Sequence, residues 1–444
     1  MVALGPVSAG ANGRFPAAQH VVVGPGRDAT VVALRTTFGL LVSRDGARSF
    51  RWVCEDAMFY PDALASAQII DPPIEVSASG RVVFGHPGGV RSLTDGCDIA
   101  GHPGADGRNV VDLAADPAGA VIYAAQYDPS TETSTILRGV HPALEFVPAG
   151  SPLARTEVFT LDVAPGDPRR LYLSGVAAGL RTPVLFRSED GGQSWQAAAA
   201  GVHLGDEAFV SGVSPVDPGT VFVRINEGFG SSLLRSRDGA RGFTVVARSP
   251  DPMTGFALSD DGQTVWYGSV NGGLFRSRDG GETFAPVNPL PVLALRFHAG
   301  ALWVSSDWQA TFALGRSVDG AETFAAVLRF EDIEGPVACA SPSPGTAACV
   351  AVWPRQRRAL APPRLDGGTP RDAVGPEVSL PVDDVGSPAE AGPDAGAPGT
   401  PPPGHCGCAA PGPAGRGRGA AFLAGLALLG RRDRRRRPLQ PDCS

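Results

Sequence analysis

Five aspartates stand at matched places along this 444-residue chain: Asp45, Asp190, Asp238, Asp279 and Asp319. Each lies in a segment of one pattern: SRDGARSF at Ser43–Phe50, SEDGGQSW at Ser188–Trp195, SRDGARGF at Ser236–Phe243, SRDGGETF at Ser277–Phe284 and SVDGAETF at Ser317–Phe324. Carboxylates can act as general acid and base. For glycoside cleavage that means two of them about 5–10 Å apart across a cleft. Five acids at equivalent places on repeated units cannot all face one substrate. Ser-x-Asp-Gly suits a turn instead, with the Asp accepting from backbone N–H groups two residues on and the Gly taking positive φ. These acids are expected to be structural. The Arg before the Ser (Arg187, Arg235, Arg276, Arg316) repeats with them and is expected to belong to the same architecture.

The other acids expected on loops are Asp56, Asp128, Glu132, Glu157, Asp206, Glu207, Glu227 and Asp307. Asp206, Glu207, Glu227 and Asp307 are the candidate ligand-binding positions. Trp308 beside Asp307, and Phe229 near Glu227, would supply a platform for stacking a sugar. The seven His are scattered, none spaced as a metal pair. There is no Gly-x-Ser-x-Gly elbow, and a chain without Lys has no phosphate loop of the usual kind. No metal and no cofactor are expected.

The elements that must position these residues follow from the repeat. Aligned on their last residue, the five segments are joined by two decayed copies, so that Phe50, Ile99, Phe146, Trp195, Phe243, Phe284 and Phe324 close seven units of 40–49 residues. Thr94 stands where the second copy should have Asp, with Asp95 following, and His141 replaces the Asp of the third. Around each segment run short apolar stretches such as Thr160–Val163, Arg170–Leu173, Pro183–Arg187 and Ala325–Leu328. They are rich in Val, Leu and aromatics and are bounded by Gly, Asp and Pro, which makes four strands per unit and no helix. Four-stranded units at this period predict an all-β fold, a seven-bladed β-propeller. A further apolar pair, Pro336–Ala340 and Ala347–Val352, is expected to form a terminal hairpin against the ring.

The motif resembles the Asp box of sialidases and other BNR-repeat propellers, Ser/Thr-x-Asp-x-Gly-x-Thr-Trp. Phe replaces Trp in four copies, and Ala replaces Gly at Ala47, Ala240 and Ala321. The resemblance implies a hairpin turn between the two outer strands of each blade. A sialidase of that kind also needs three Arg on the substrate carboxylate, a Tyr nucleophile with a Glu partner and an acid/base Asp. Gly13-Arg14-Phe15-Pro16 is only an echo of the early Arg-Ile-Pro motif, and Tyr60 and Tyr127 are the only loop tyrosines.

The domains read as follows: a possible export-signal remnant over 1–11, the propeller over 12–353, a disordered Pro/Gly/Ala-rich linker over 354–405, a sorting tag over 406–438 and a tail over 439–444. Ala9-Gly10-Ala11 fits a signal-peptidase site, although Met1–Ala11 has no basic start. The mature chain is expected to begin near Asn12, with the true start upstream. Cys406-Gly407-Cys408, the apolar run Ala420–Gly430 and the cluster Arg431–Arg437 resemble the myxobacterial C-terminal sorting tag. That resemblance implies processing near Cys408 by sorting machinery, passage through the membrane at Ala420–Gly430, and delivery to the cell surface or outside it. Net charge is −7, and the acidic ring is a poor match for nucleic acid. Cys339 and Cys349 flank the expected hairpin turn and are candidates for one disulfide. Cys54 and Cys97, on adjacent blades, are candidates for another, and the pairing stays open. Two bridges would fit an oxidising compartment.

The leading expectation is a surface-displayed or secreted, non-catalytic propeller that binds a glycan or protein ligand at its channel end. A secreted glycoside hydrolase of the sialidase-like group is the alternative, and a structural envelope protein the third.

Overall fold

The computed structural model describes residues 15–361 except 28, 60–70, 96, 180–181, 199–206, 308–309 and 342. Arg14, Tyr60, Asp206, Trp308, the export remnant, the linker beyond 361 and the tag with Cys406 and Cys408 lie outside the described residues. Among the described residues, no helix is long and apolar enough to cross a membrane.

The described residues form a seven-bladed propeller of antiparallel four-stranded sheets. The blades span Ala18–Val53, Ile74–Gly101, Asn109–Pro148, Thr156–Ala197, Glu207–Ser249, Met253–Asn288 and Ala294–Leu328. Blade 3 adds a two-residue strand, Leu153–Ala154. The strands of every blade follow chain order from the channel outward. Among the described residues, no strand is exchanged between blade 1 and blade 7. The core is distributed: apolar clusters fill the interfaces between neighbouring blades, such as Val158, Leu161 and Leu173 of blade 4 with Ala114, Tyr123 and Ile136 of blade 3, and one larger cluster joins blades 7, 1 and 2.

The repeated motif forms the turn between the third and fourth strands. In blade 4, the Ser188 hydroxyl donates to Asp190 Oδ1 (2.7 Å) and accepts from the Gly192 N–H (2.9 Å). Asp190 then accepts from the N–H and hydroxyl of Ser194 (2.9 and 2.6 Å). The Asp bonds therefore reach residues three and four positions on, as Asp45 does with Arg48 and Ser49, not the two expected. The two residues after each Asp adopt positive φ, which Ala47, Ala240 and Ala321 sustain in place of glycine. Three of the repeating arginines tie blades 4 to 7 together, while Arg316 lies over the Trp303 ring of its own blade. Arg187, Arg235 and Arg276 donate to the carbonyls of Gly239, Gly280 and Gly320, the motif glycines of the following blades (2.7, 2.7 and 2.6 Å).

Ser188 is buried, and its hydroxyl is the acceptor for the Gly192 N–H. Ser188→Ala strands that donor, which costs about 1–3 kcal/mol. A lowered urea midpoint checks it; no change would mean water replaces the hydroxyl.

Two expectations are corrected. A short helix, α1 (Glu55–Phe59), interrupts the region expected to be free of helix. It buries Ala57, Met58 and Phe59. The expected terminal hairpin is absent. Its first half is extended, and its second half lies in a helix, α2 (Pro344–Leu360), which also takes in residues 354–360 of the expected linker. Ser343 caps α2 by accepting from the Thr346 N–H (3.3 Å), and Pro344 occupies the first turn, where a missing N–H costs nothing. The Ala-rich sequence that follows favours helix over strand.

Residues 329–361 form a strap that returns across the seam to blade 1. The N–H groups of Trp52 and Val337 bond the carbonyls of Gly335 and Trp52 (2.8 and 3.0 Å), so the strap covers the outer edge of blade 1. Trp52 also donates from Nε1 to the Phe38 carbonyl (2.8 Å) and packs on Trp353. The disulfides are Cys54–Cys349 and Cys97–Cys339. All four candidate cysteines are bonded, but neither suggested pairing occurs, because both strap cysteines face the ring instead of each other. At the seam itself, the Ala18 N–H bonds the Ser306 carbonyl (3.0 Å).

Candidate functional site

Of the acids expected on loops, Asp128, Glu157, Glu207 and Glu227 lie at the ends of strands and Asp56 lies in α1; among the described ones only Glu132 and Asp307 are on loops. The motif turns join third to fourth strands, so first strands begin at the opposite end. Glu157, Glu207 and the hairpins after second strands, with Asp128, Glu227 and Asp307, lie there. They do not form one constellation. Glu227 accepts from Ser232 (3.3 Å) and pairs with Arg248 (3.6 Å). Glu207 accepts from Asn226 (3.3 Å), and Asp307 bridges to Ala17 across the seam. Asp128 closes its own turn with Ser130 (2.9 Å from its N–H). Phe229 is 94% exposed at the tip of its hairpin. Tyr127 sits within a second strand, half-buried, opposite Ser134.

A different group of residues meets in the central channel, which encloses about 770 Å³ and is lined by the first strand of every blade. Five consecutive blades place ionisable side chains on its wall, among them Arg296 (blade 7), His20 (blade 1), Glu75 (blade 2), Asp112 (blade 3) and Asp162 (blade 4). The other arc carries Phe159, Phe209, Phe256 and Phe297 of blades 4 to 7. Phe159 and Phe209 stack with ring centroids 5.8 Å apart, and the Arg224 guanidinium lies 4.4 Å over Phe209 while donating to the Met253 carbonyl. Among the described residues, no group of three His, Cys, Asp or Glu is spaced to hold a metal ion.

The ionisable arc is electrostatically perturbed. The three carboxylates are partly reached from the lumen but walled by protein. Burial pushes the Glu75 carboxyl up to about 7, with Arg296 opposing and Asp162 reinforcing the rise. Burial pushes Asp112 up to about 7 against the N–H bonds of Leu161 and Leu113, with Asp162 and Glu75 adding to the rise. Burial pushes Asp162 up to about 6, opposed by the Val163 N–H and Arg296. His20 is driven down to about 3 by burial and by Arg35 and Arg296, and stays neutral at working pH. Further out, Arg35 donates to the Asp71 and Pro72 carbonyls (3.2 and 3.3 Å). Asp71, Asp116, Asp260 and His298 also line the channel.

Structural duty does not explain these charges. Asp112 accepts from the Leu161 N–H of the next blade (2.7 Å). One blade on, Thr160 makes the equivalent bond from the equivalent strand position, accepting from the Val210 N–H (2.9 Å). A neutral hydroxyl therefore suffices for the latch. Asp162 and Arg296 also share one position, opposite Tyr172 and Trp303. In blade 2 Glu75 occupies it, opposite Val83, and the other blades fill it with Val22, Ala114, Gly212 and Ala257. Strongly perturbed groups in a cleft mark functional sites. Sequence reasoning missed this arc because its members are spread over five blades, far apart in the chain. Charges breaking an otherwise apolar repeat column were the signal that could have found it.

No family model matches the chain, and no curated protein matches it. Three solved structures are similar at low identity. The nidogen/laminin complex shares 11% identity over 55% of this chain and 91% of that one, with a TM-score of 0.39. The hydrazine synthase of Kuenenia stuttgartiensis shares 9% over 70% and 99%, at 0.49. The GH74 xyloglucanase from Xanthomonas campestris shares 17% over 74% and 67%, at 0.34. What the blades and their register establish is a seven-bladed β-propeller of four-stranded sheets with an ionisable arc and an aromatic arc facing one channel.

Proposed function

We propose that this protein is an exported, surface-displayed propeller that binds a glycan in its channel without turning it over. The observation that supports this most is the two-sided channel wall. Aromatic faces stack on the C–H faces of a sugar ring, while carboxylates and a neutral imidazole accept from its hydroxyls. The volume lies within the usual range for small-ligand sites, about 300–1,000 Å³. Display rests on the sequence alone: the Asp-box resemblance of the blades, the Pro-rich stretch and the tag-like order of Cys406, Cys408, Ala420–Gly430 and the Arg cluster.

Titration of the full chain with a panel of mono- and disaccharides by calorimetry tests the binding. Saturable heat with at least one saccharide is expected, and silence across the panel refutes it. The glycoside hydrolase reading draws on the same arc, because carboxyls near 6–7 are suited to general acid work. Robust turnover in a glycosidase screen, abolished by Asp162→Asn, would replace binding with catalysis. Intact mass of surface-extracted protein tests the display; an unprocessed Ser444 end counts against the tag.

A further inference from the structure

We infer that the channel selects a ligand bearing a free ammonium group, held by the arc of Glu75, Asp112 and Asp162 with the imidazole of His20. This rests on the glycan reading and narrows it: the sugar is an amino sugar whose nitrogen is not acylated.

The argument is one of charge and unspent acceptors. The arc holds three carboxylates against one guanidinium, Arg296, which makes no hydrogen bond or ion pair among the described residues. The other two arginines of the channel, Arg35 on the Asp71 and Pro72 carbonyls and Arg224 on the Met253 carbonyl and the Phe209 face, are outnumbered by three further lining carboxylates, Asp71, Asp116 and Asp260. An anionic ligand would meet net negative charge at close quarters. A neutral sugar would leave the carboxylates repelling one another. An ammonium ion opposes that repulsion and lets all three ionise, because an opposite charge within a few ångströms favours the charged form.

His20 is the second, independent pointer. It lies half-buried on the channel wall, and its imidazole makes no hydrogen bond among the described residues. A neutral imidazole keeps one ring nitrogen as an acceptor. An ammonium group carries three donors and no acceptor, which complements two carboxylates and one imidazole nitrogen. The groups facing this pocket from the packed strands are Arg35 behind His20, Arg296 between Glu75 and Asp162, and the Leu161 and Val163 N–H groups on Asp112 and Asp162.

Calorimetry of the full chain at pH 7.5 with glucosamine, N-acetylglucosamine, glucose and the sugar-free diamine putrescine tests it. Glucosamine is expected to bind about ten- to a hundredfold more tightly than N-acetylglucosamine or glucose, the scale of one or two charge-assisted hydrogen bonds. Asp112→Thr keeps the latch that Thr160 already demonstrates one blade on, and is expected to erase most of that preference. Asp162→Asn gives a second, isosteric check, and unchanged far-UV circular dichroism shows that each variant is folded. Equal affinity for the three sugars overturns the ammonium inference and leaves the glycan reading standing. Putrescine binding with no sugar binding upholds the ammonium inference and removes the glycan. Binding by none of the four removes both.

Discussion

Removing both strap disulfides is expected to cost more than the sum of removing each alone. Cys54–Cys349 and Cys97–Cys339 span 295 and 242 residues, and the second loop is nested within the first. A disulfide acts chiefly by restricting the unfolded chain, and the loss of one from a native protein typically costs about 2–5 kcal/mol. Here either bridge already brings the other pair of cysteines near. The remaining bridge then closes only the short flanking segments, which removes less entropy. Cys54→Ala with Cys349→Ala, or Cys97→Ala with Cys339→Ala, should therefore lower stability at the small end of that range. The quadruple variant loses the long closure and should show the large drop. Trp52 and Trp353 face one another across the strap and supply the fluorescence signal for urea unfolding. Strictly additive losses would show that the strap holds through its backbone bonds and Trp52 packing alone.

The second large effect concerns pH. Asp112 has a folded-state carboxyl near 7 against an ordinary value of 3.8. Folding therefore favours its protonated form. Its contribution is fully present below about pH 4 and is lost as pH rises through about 7. Glu75 and Asp162 act in the same sense, up to about 7 and 6. The motif aspartates act oppositely: the Ser194 hydroxyl and N–H and the Ser188 hydroxyl hold Asp190 down at about 2, so its support fails only as pH falls toward that value. Maximal stability is thus expected in mild acid, near pH 4–5. Asp112→Thr should stabilise the fold by about 2–4 kcal/mol at pH 8, at roughly 1.4 kcal/mol per pKa unit, and by little at pH 4. Thermal melts at the two pH values decide it. A variant equally altered at both would mean that Asp112 matters through its bond to Leu161 and not through its charge.

A carboxylate that weakens the fold at neutral pH, where a Thr would hold the same latch, is the kind of residue kept for use. That argument needed the structure. The repeat was legible because each blade restates Ser-Asp-Gly-aromatic, and the strands were legible because Val and Leu runs lie between Gly and Asp turns. Ala325–Leu328 is a strand with the limits read from the sequence. The channel arc was not legible: Glu75, Asp112, Asp162 and Arg296 stand far apart in the chain, and only the strand register shows that Glu75, Asp162 and Arg296 share one place in their blades. The strap was misread for another reason. Ala347–Val352 looks like a strand by composition, but Ser343-Pro344 just upstream opens a helix, and the disulfide to Cys54 fixes where that helix packs. Of the candidate loop acids, Glu207 and Glu227 prove to be strand residues that spend their charge inside blade 5.

Blade contiguity has a wider consequence. Because every sheet is a single uninterrupted stretch of chain, the boundary between blade 7 and blade 1 is chemically one more neighbour contact, and the ring owes its completion to a clasp added from outside. A gene segment encoding one whole blade could be duplicated or lost without splitting any sheet. The number seven is then set by wedge geometry and by the reach of the clasp, not by the way the chain ends meet. In the same sense, the order in which blades appear along the chain is separable from their order around the ring, and a new start point between any two blades keeps every sheet whole.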